Sequence, residues 1–235
     1  MKAIILAAGK CKRLKGTVDN IPKPMIRIKG EPILEHNVEW LKRFGIKEIY
    51  INLHHFPDAI KNYFGDGKKM GVKIRYSYEP KLLGTAGGVR RIIDKYWNSE
   101  DTDTFLVIYG DNFLDFNLNK IINFHKTKKG IGTICFYVKK EISQSGIAIL
   151  DRDSKIIRFI EKPNSKETVS HLVNTGICIF EFSILNYIPK NAVSDFGKDV
   201  FPRIVENKTK IYGIVMNGKL VAVDTPELLK KVTKS

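Results

Sequence analysis

Short apolar runs alternate with segments of helical spacing through the first half of the chain. The runs predict strands at residues 3–6, 48–53, 72–77 and 104–109. The intervening patterns predict helices at 31–44, 57–64, 85–97 and 118–126. In 31–44, Ile33, Leu34, Val38, Leu41 and Phe44 fall on one face, and 85–97 is entered through Gly84. This β-α-β alternation predicts an α/β fold with a mostly parallel, doubly wound (Rossmann-like) sheet. Ligands of such sheets bind beyond the carboxyl ends of the strands, which is where Gly9, Gly84 and Asp111 fall.

After Gly130 the pattern changes. Hairpin-like strands are predicted at 132–138, 146–150, 156–160 and 172–181, then a helix at 197–207 and strands near 210–215 and 220–223. A last helix is expected from about Pro226, with Thr225 as N-cap. No Gly/Pro/Ser-rich linker and no internal repeat divides the sequence. The expectation is one domain over 1–235, its first half to about residue 130 and a smaller β-rich part from about 131.

Composition narrows the classes. The chain has 235 residues, enough for one substantial core. The start does not read as a signal peptide, and no apolar stretch approaches a membrane span. Cys11, Cys135 and Cys178 are odd in number and widely spaced, which argues against a disulfide framework or a zinc site and fits a reducing cytoplasm. Lys and Arg number 40 against 25 Asp and Glu, a formal net charge of +15. That balance invites a nucleic-acid reading. The basic residues are mostly scattered Lys, however, without an Arg-rich arm or an RNP motif, so no nucleic-acid partner is expected.

The candidate chemistry begins where the first strand opens into Ala7-Ala8-Gly9 and a basic loop with Lys10, Lys12, Arg13 and Lys15. Small residues let a backbone approach a ligand, and N–H groups with cations suit an anion, phosphate above all. A plain solvated loop is about as compatible with composition alone. P-loop and dinucleotide spacings are both absent. Asp111 follows an apolar strand, so its carboxylate can hold Mg²⁺ against phosphates or simply form a turn with Asn112. The five His have no metal-ligand spacing, and no nucleophile elbow is present.

Taken in order, these segments resemble the sugar-1-phosphate nucleotidyltransferases, whose N-terminal signature is roughly L-A-[AG]-G-x-G-x-R-L-x-P-x-T-x-x-x-P-K-P. The chain keeps Leu6-Ala7-Ala8-Gly9, Arg13-Leu14 and Pro22-Lys23-Pro24-Met25 in that spacing. It departs at Cys11, Gly16 and Val18, where the family has Gly, Pro and Thr. Glu79 with Leu83-Gly84-Thr85-Ala86-Gly87 matches E-x-x-x-L-G-T-A-G. Gly110-Asp111 matches the metal-binding G-D. Gly146, Glu161-Lys162-Pro163 and Asn174-Thr175-Gly176 match the sugar side. The family's W-x-D-[VIT]-G-T-P is altered: Ala222 stands where the Asp aligns, and Asp224 is the acidic residue nearby. The optional C-terminal β-helix has no counterpart in the pattern.

The resemblance implies an enzyme that couples a nucleoside triphosphate to a sugar 1-phosphate with Mg²⁺ as cofactor. Arg13, Lys23 and Asp111 would be catalytic. Leu6, Ala7, Ala8, Gly9, Arg13, Lys23, Glu79, Gly84, Thr85 and Ala86 would bind the nucleotide. Gly146, Glu161, Lys162, Asn174 and Thr175 would bind the sugar phosphate, and Asp111 with Asp224 the metal. Pro22-Lys23-Pro24-Met25, the Leu83–Gly87 motif and the 195–202 segment look most like guanylyltransferases acting on mannose or heptose 1-phosphate. Uridylyl or thymidylyl transfer to glucose or N-acetylmuramate 1-phosphate stays open. So do a catalytically weakened nucleotide-binding module and homo-oligomerisation.

Overall fold

The computed structural model describes residues 1–9, 21–98, 104–164 and 170–222. In chain order the elements are β1 (Lys2–Leu6), β2 (Arg27–Ile28), β3 (Glu31–Pro32), α1 (Ile33–Arg43), β4 (Glu48–Leu53), α2 (Pro57–Phe64), β5 (Lys73–Tyr78) and α3 (Gly84–Tyr96). They continue with β6 (Phe105–Tyr109), β7 (Asn112–Asp115), α4 (Leu118–Lys128), β8 (Gly132–Val138), β9 (Gly146–Leu150) and β10 (Ile156–Glu161). The last are β11 (Leu172–Phe180), α5 (Phe201–Glu206), β12 (Ile211–Val215) and β13 (Lys219–Ala222). The described residues divide into two compact units. One holds Met1–Leu82, Ile108–Asp115 and the chain from Lys219; the other holds Leu83–Val107 and Phe116–Gly218.

The first unit is built on parallel strands. β1 pairs with β4 from Ala3↔Ile49 to Leu6↔Asn52, and β4 with β5 from Glu48↔Lys73 to Leu53↔Tyr78. Ala3 to Leu6 and Ile49 to Leu53 are all buried, as expected of parallel strands covered on both faces. The register sets the carboxyl ends of the three strands side by side. A separate antiparallel pair, β7 with β13, runs from Asp115↔Lys219 to Asn112↔Ala222. Pattern reading missed β7, whose four residues directly follow the Gly110-Asp111 turn.

The predicted helix 31–44 is shorter at its start. Glu31 and Pro32 pair with Ile28 and Arg27 instead. Lys29 and Gly30 both have positive φ, +53° and +87°, the backbone that a two-residue hairpin turn favours. The helix begins at Ile33, after the extended Pro32.

The second unit carries the β-rich part. β9 and β10 form the expected hairpin, but β8 pairs with β11 antiparallel and with β12 parallel. β12 also meets the chain entering β10, through a Lys155↔Tyr212 bridge and a Gly213 N–H to Ser154 O bond of 2.9 Å. The sheet therefore curls back on itself. The helix predicted over 197–207 splits into a wide turn at Phe196–Val200 and α5. Pro202 has no N–H to donate and its ring crowds the carbonyl four residues back, so a regular helix cannot run through it. The wide turn takes up the misfit, with Val200 N–H bonding Asp195 O and Phe201 N–H bonding Phe196 O. Phe159, Phe180, Phe196 and Phe201 pack as one aromatic cluster beneath it. The mixed α/β, Rossmann-like class read from the sequence is the fold observed. The predicted helix from Pro226 lies outside the described residues.

Candidate active site

In the first unit the strand ends are joined by a polar chain. The Ala7 N–H donates to Asn52 Oδ1 at 2.7 Å, and Asn52 Nδ2 donates to Glu79 Oε1 at 2.7 Å. His54 Nδ1 lies 2.7 Å from the Glu79 carbonyl, and the Glu79 N–H bonds Leu53 O. Leu6, Ala7 and Ala8 are buried, and so is Glu79 at 1% exposure. Gly9 is exposed, and a Cβ there would meet nothing within 4 Å. The end of β1 is thus firmly held up to the exposed Gly9.

Lys23 lies in a single 3-10 turn, Lys23–Met25, between Pro22 and Pro24. Both prolines fix φ and stiffen the turn. Its Nζ donates to Asp111 Oδ2 at 2.6 Å, with the Lys23 side chain 12% exposed and that of Asp111 36%. The preceding residue, Gly110, donates its N–H to Leu6 O at 2.9 Å. A Cβ on Gly110 would lie 2.7 Å from Ile5 Cγ2 and 3.1 Å from Leu6 O, so a glycine is what lets this turn close on β1. Asn112 pairs with Ala222, the last described residue of β13. Arg13, Cys11 and Asp224 lie outside the described residues.

Among the described residues no three His, Cys, Asp or Glu side chains converge as a metal-binding group. Asp111 offers one carboxylate there. That donor suits Mg²⁺, which is held by one or two carboxylates together with substrate phosphates and waters.

The second unit holds the other predicted residues. Gly84 opens α3 at φ +76°. The first N–H groups of this helix are taken up internally: Thr85 N–H by Asp195 Oδ1 at 3.2 Å, and Ala86 and Gly87 N–H by Ser194 O at 2.9 and 3.0 Å. The Thr85 hydroxyl donates to Asp195 Oδ1 and accepts from Phe196 N–H. The glycine-rich start of α3 is therefore built against the 194–196 segment.

Glu161 ends β10 in a slot between two glycines. A Cβ on Gly146 would sit 2.7 Å from Glu161 Oε2, and one on Gly197 would overlap the same atom. Burial pushes the Glu161 carboxyl above its usual range; Lys162 pulls it back, Asp195 adds to the rise and Lys198 opposes it. Lys162 adopts φ +52° and bonds Ser145 O through its N–H. Asn174, Thr175 and Gly176 form an irregularity in β11, where pairing to β8 jumps from Asn174 to Cys178. The Asn174 side chain accepts from Gly176 N–H at 2.8 Å. The Thr175 hydroxyl turns inward, fully buried, and donates to Cys135 O at 2.8 Å, so it shapes the bulge from beneath.

A profile of the nucleotidyl transferase family matches residues 2–221. The chain belongs to that family. Among curated relatives of the chain, a UTP–glucose-1-phosphate uridylyltransferase of Synechocystis sp. is 37% identical over 234 residues, which is 95% of this chain and 60% of that protein. A mannose-1-phosphate guanyltransferase of Debaryomyces hansenii is 32% identical over 233 residues, 97% of this chain and 62% of that one. The chain thus spans about three fifths of the length of these relatives. The crystal structure of HddC from Yersinia pseudotuberculosis complexed with GMP-PN is similar in fold, with a TM-score of 0.81 at 24% identity, covering 99% of this chain and 98% of that one.

Pattern reading overlooked two residues beside these, Asn52 and Asn37. Both are amides in otherwise apolar settings: Asn52 within Ile49-Tyr50-Ile51-Asn52-Leu53, Asn37 on the apolar face of α1. That setting was the available signal, because a buried polar side chain must find partners. Cys135 and Cys178 are buried free thiols, and burial pushes Cys135 up to about 12, where it is inert. No helix among the described residues is long and apolar enough to cross a membrane.

Proposed function

We propose that the chain is a sugar-1-phosphate nucleotidyltransferase, favouring GTP and mannose or heptose 1-phosphate. A sugar-phosphate oxygen attacks the α-phosphorus of the triphosphate in line. The new P–O bond forms as the bond to the β-phosphate oxygen breaks, and pyrophosphate leaves with that electron pair. The nucleophile is already anionic near neutral pH, so the task is to bring two polyanions together and stabilise the leaving charge. Lys23 bridges the α-phosphate and the incoming sugar phosphate, and Arg13 holds the β- and γ-phosphates. Lys162 holds the sugar phosphate, while Glu161 and Asn174 take sugar hydroxyls. Asp111, with Asp224, holds Mg²⁺. The ion when bound neutralises phosphate charge. By their motif, Glu79, Gly84, Thr85 and Ala86 are assigned to the nucleotide.

The observation that carries this reading is the meeting of Lys23 and Asp111 at 2.6 Å, in a chain whose family match runs over 2–221. A cation and a metal-type carboxylate, each picked out by its own motif, come together at one strand edge. Residues to about 130 form the nucleotide half and those from about 131 the sugar-phosphate half, divided by ligand rather than by compactness. The two buried free thiols fit a cytoplasmic enzyme. The positive balance serves its polyanionic substrates rather than a nucleic acid or a membrane.

A second reading, uridylyl transfer to glucose 1-phosphate, is favoured by the 37% identity with the Synechocystis protein. Pyrophosphate release separates the two. GTP, UTP, CTP and dTTP are each crossed with mannose, glucose, N-acetylhexosamine, N-acetylmuramate and heptose 1-phosphates in Mg²⁺. Release with GTP and a mannose or heptose phosphate, lost in Asp111→Asn, is the expected result. Release with UTP and glucose 1-phosphate selects the second reading. Silence in every combination, from a folded protein that binds nucleotide, leaves a binding module.

A further inference from the structure

Asn37 sits on the buried face of α1 among Ile33, Leu34, Val38 and Leu41, with no solvent exposure. Its Nδ2 donates to Asn112 O at 2.9 Å and stands 3.5 Å from Gly110 O. These two carbonyls flank Asp111 on either side in the chain. One buried amide therefore spans the residue that meets Lys23. Among the described residues its Oδ1 has no hydrogen-bond partner. An orphaned buried acceptor is costly, and a leucine would fill the same space without that cost. What a leucine lacks is the pair of N–H donors.

The rest of the turn is held as well. Gly110 N–H is tied to Leu6 O, and Asn112 is paired to β13. Asn37 supplies the restraint on the carbonyl side. We propose that Asn37 is a positioning residue that sets the Asp111 carboxylate for a divalent cation, acting through the Gly110 and Asn112 carbonyls. The inference rests on the metal role given to Asp111 above. Partners that orient a metal ligand without touching the ion typically change metal affinity by about 10–100-fold when removed.

The test uses the whole chain and Mn²⁺ alone as the probe, followed by loss of the free-ion electron paramagnetic resonance signal. Asn37→Leu is expected to bind Mn²⁺ about 10–100-fold more weakly than wild type while melting cooperatively. Should it fail to fold, Asn37→Ala removes the donors without adding bulk or charge. Val38→Ala, equally buried on the same helix, reports a merely structural effect: it lowers Tm and leaves Mn²⁺ affinity unchanged. Asp111→Asn sets the reference for loss of the ligand. If Asp111→Asn binds as wild type does, or wild type binds no Mn²⁺, the metal role of Asp111 and this inference fall together. If Asp111→Asn loses the ion but the Asn37 variants hold it within about twofold, or Val38→Ala weakens it equally, only the role of Asn37 falls.

Discussion

The ammonium of Lys23 and the carboxylate of Asp111 are 88 positions apart in sequence and 2.6 Å apart in space. A proline-flanked turn delivers one and a glycine turn at the end of β6 the other. Both charges are employed in the proposed reaction, the carboxylate on a cation and the ammonium on phosphate. With Asp111 more than a third exposed, the pair itself contributes only about 0–1 kcal/mol to stability. Lys23→Ala should therefore melt close to wild type, yet lose about 10²-fold or more in kcat. Near-normal turnover in that variant removes Lys23 from the chemistry. Stripping divalent ions with EDTA should abolish pyrophosphate release, and added Mg²⁺ should restore it.

Asn52 ties the end of β1 to Glu79, with bonds of 2.7 Å on each side. Asn52→Leu takes the partner from a buried Ala7 N–H and a donor from a buried carboxylate. Each such loss costs about 1–3 kcal/mol. The expected outcome is a Tm lower by about 2–4 °C for each kcal/mol, with nucleotide affinity falling further than stability predicts. Melting curves and nucleotide titration of the same preparation check both. An unchanged affinity would confine Asn52 to a role in folding.

Strand positions were largely legible because parallel strands buried on both faces are written as unbroken apolar runs, as in Ala3-Ile4-Ile5-Leu6. The same rule hides short elements. β7 carries only Asn112 to Asp115, and its pairing with β13 joins segments far apart in sequence. The β8–β11 pairing is likewise non-local, so adjacency in sequence suggested hairpins that were not formed. Among the candidate residues, Lys23, Asp111 and Glu161 announced themselves through motifs. Asn37 and Asn52 did not, since their work is done on backbone groups and neighbouring side chains.

Gly84 combines a left-handed φ of +76° with close contact: a Cβ there would stand 2.5 Å from Ser194 O. The obstructing atom is backbone, which cannot swing aside. A non-glycine residue in this conformation costs about 1–3 kcal/mol before any clash is counted. Gly84→Ala should lower Tm by about 2–4 °C per kcal/mol and loosen the α3 start. Gly9→Ala, with nothing within 4 Å of the added carbon, serves as the control and should melt as wild type. Equal melting of the two would show that Gly84 is not required by this packing.

Glu161 links stability to pH with a defined sign. Its carboxyl is raised above the ordinary 4.5, chiefly by burial, so the folded chain holds that proton more tightly than the unfolded chain does. Across the window from 4.5 up to the raised value, stability from this group is therefore lost as pH increases. Glu161→Gln removes the titration and the buried charge. Its Tm should match wild type in acid and exceed it at neutral pH, while kcat/KM for the sugar phosphate falls by about 10²-fold. Gly197→Ala probes the same carboxylate from outside. The added carbon overlaps the Glu161 Oε2 position, but that atom ends a flexible side chain, so the chain yields with little cost in stability. The displaced carboxylate should raise KM for the sugar phosphate and leave KM for the nucleotide unchanged. A matched rise in both constants would move Glu161 away from the sugar.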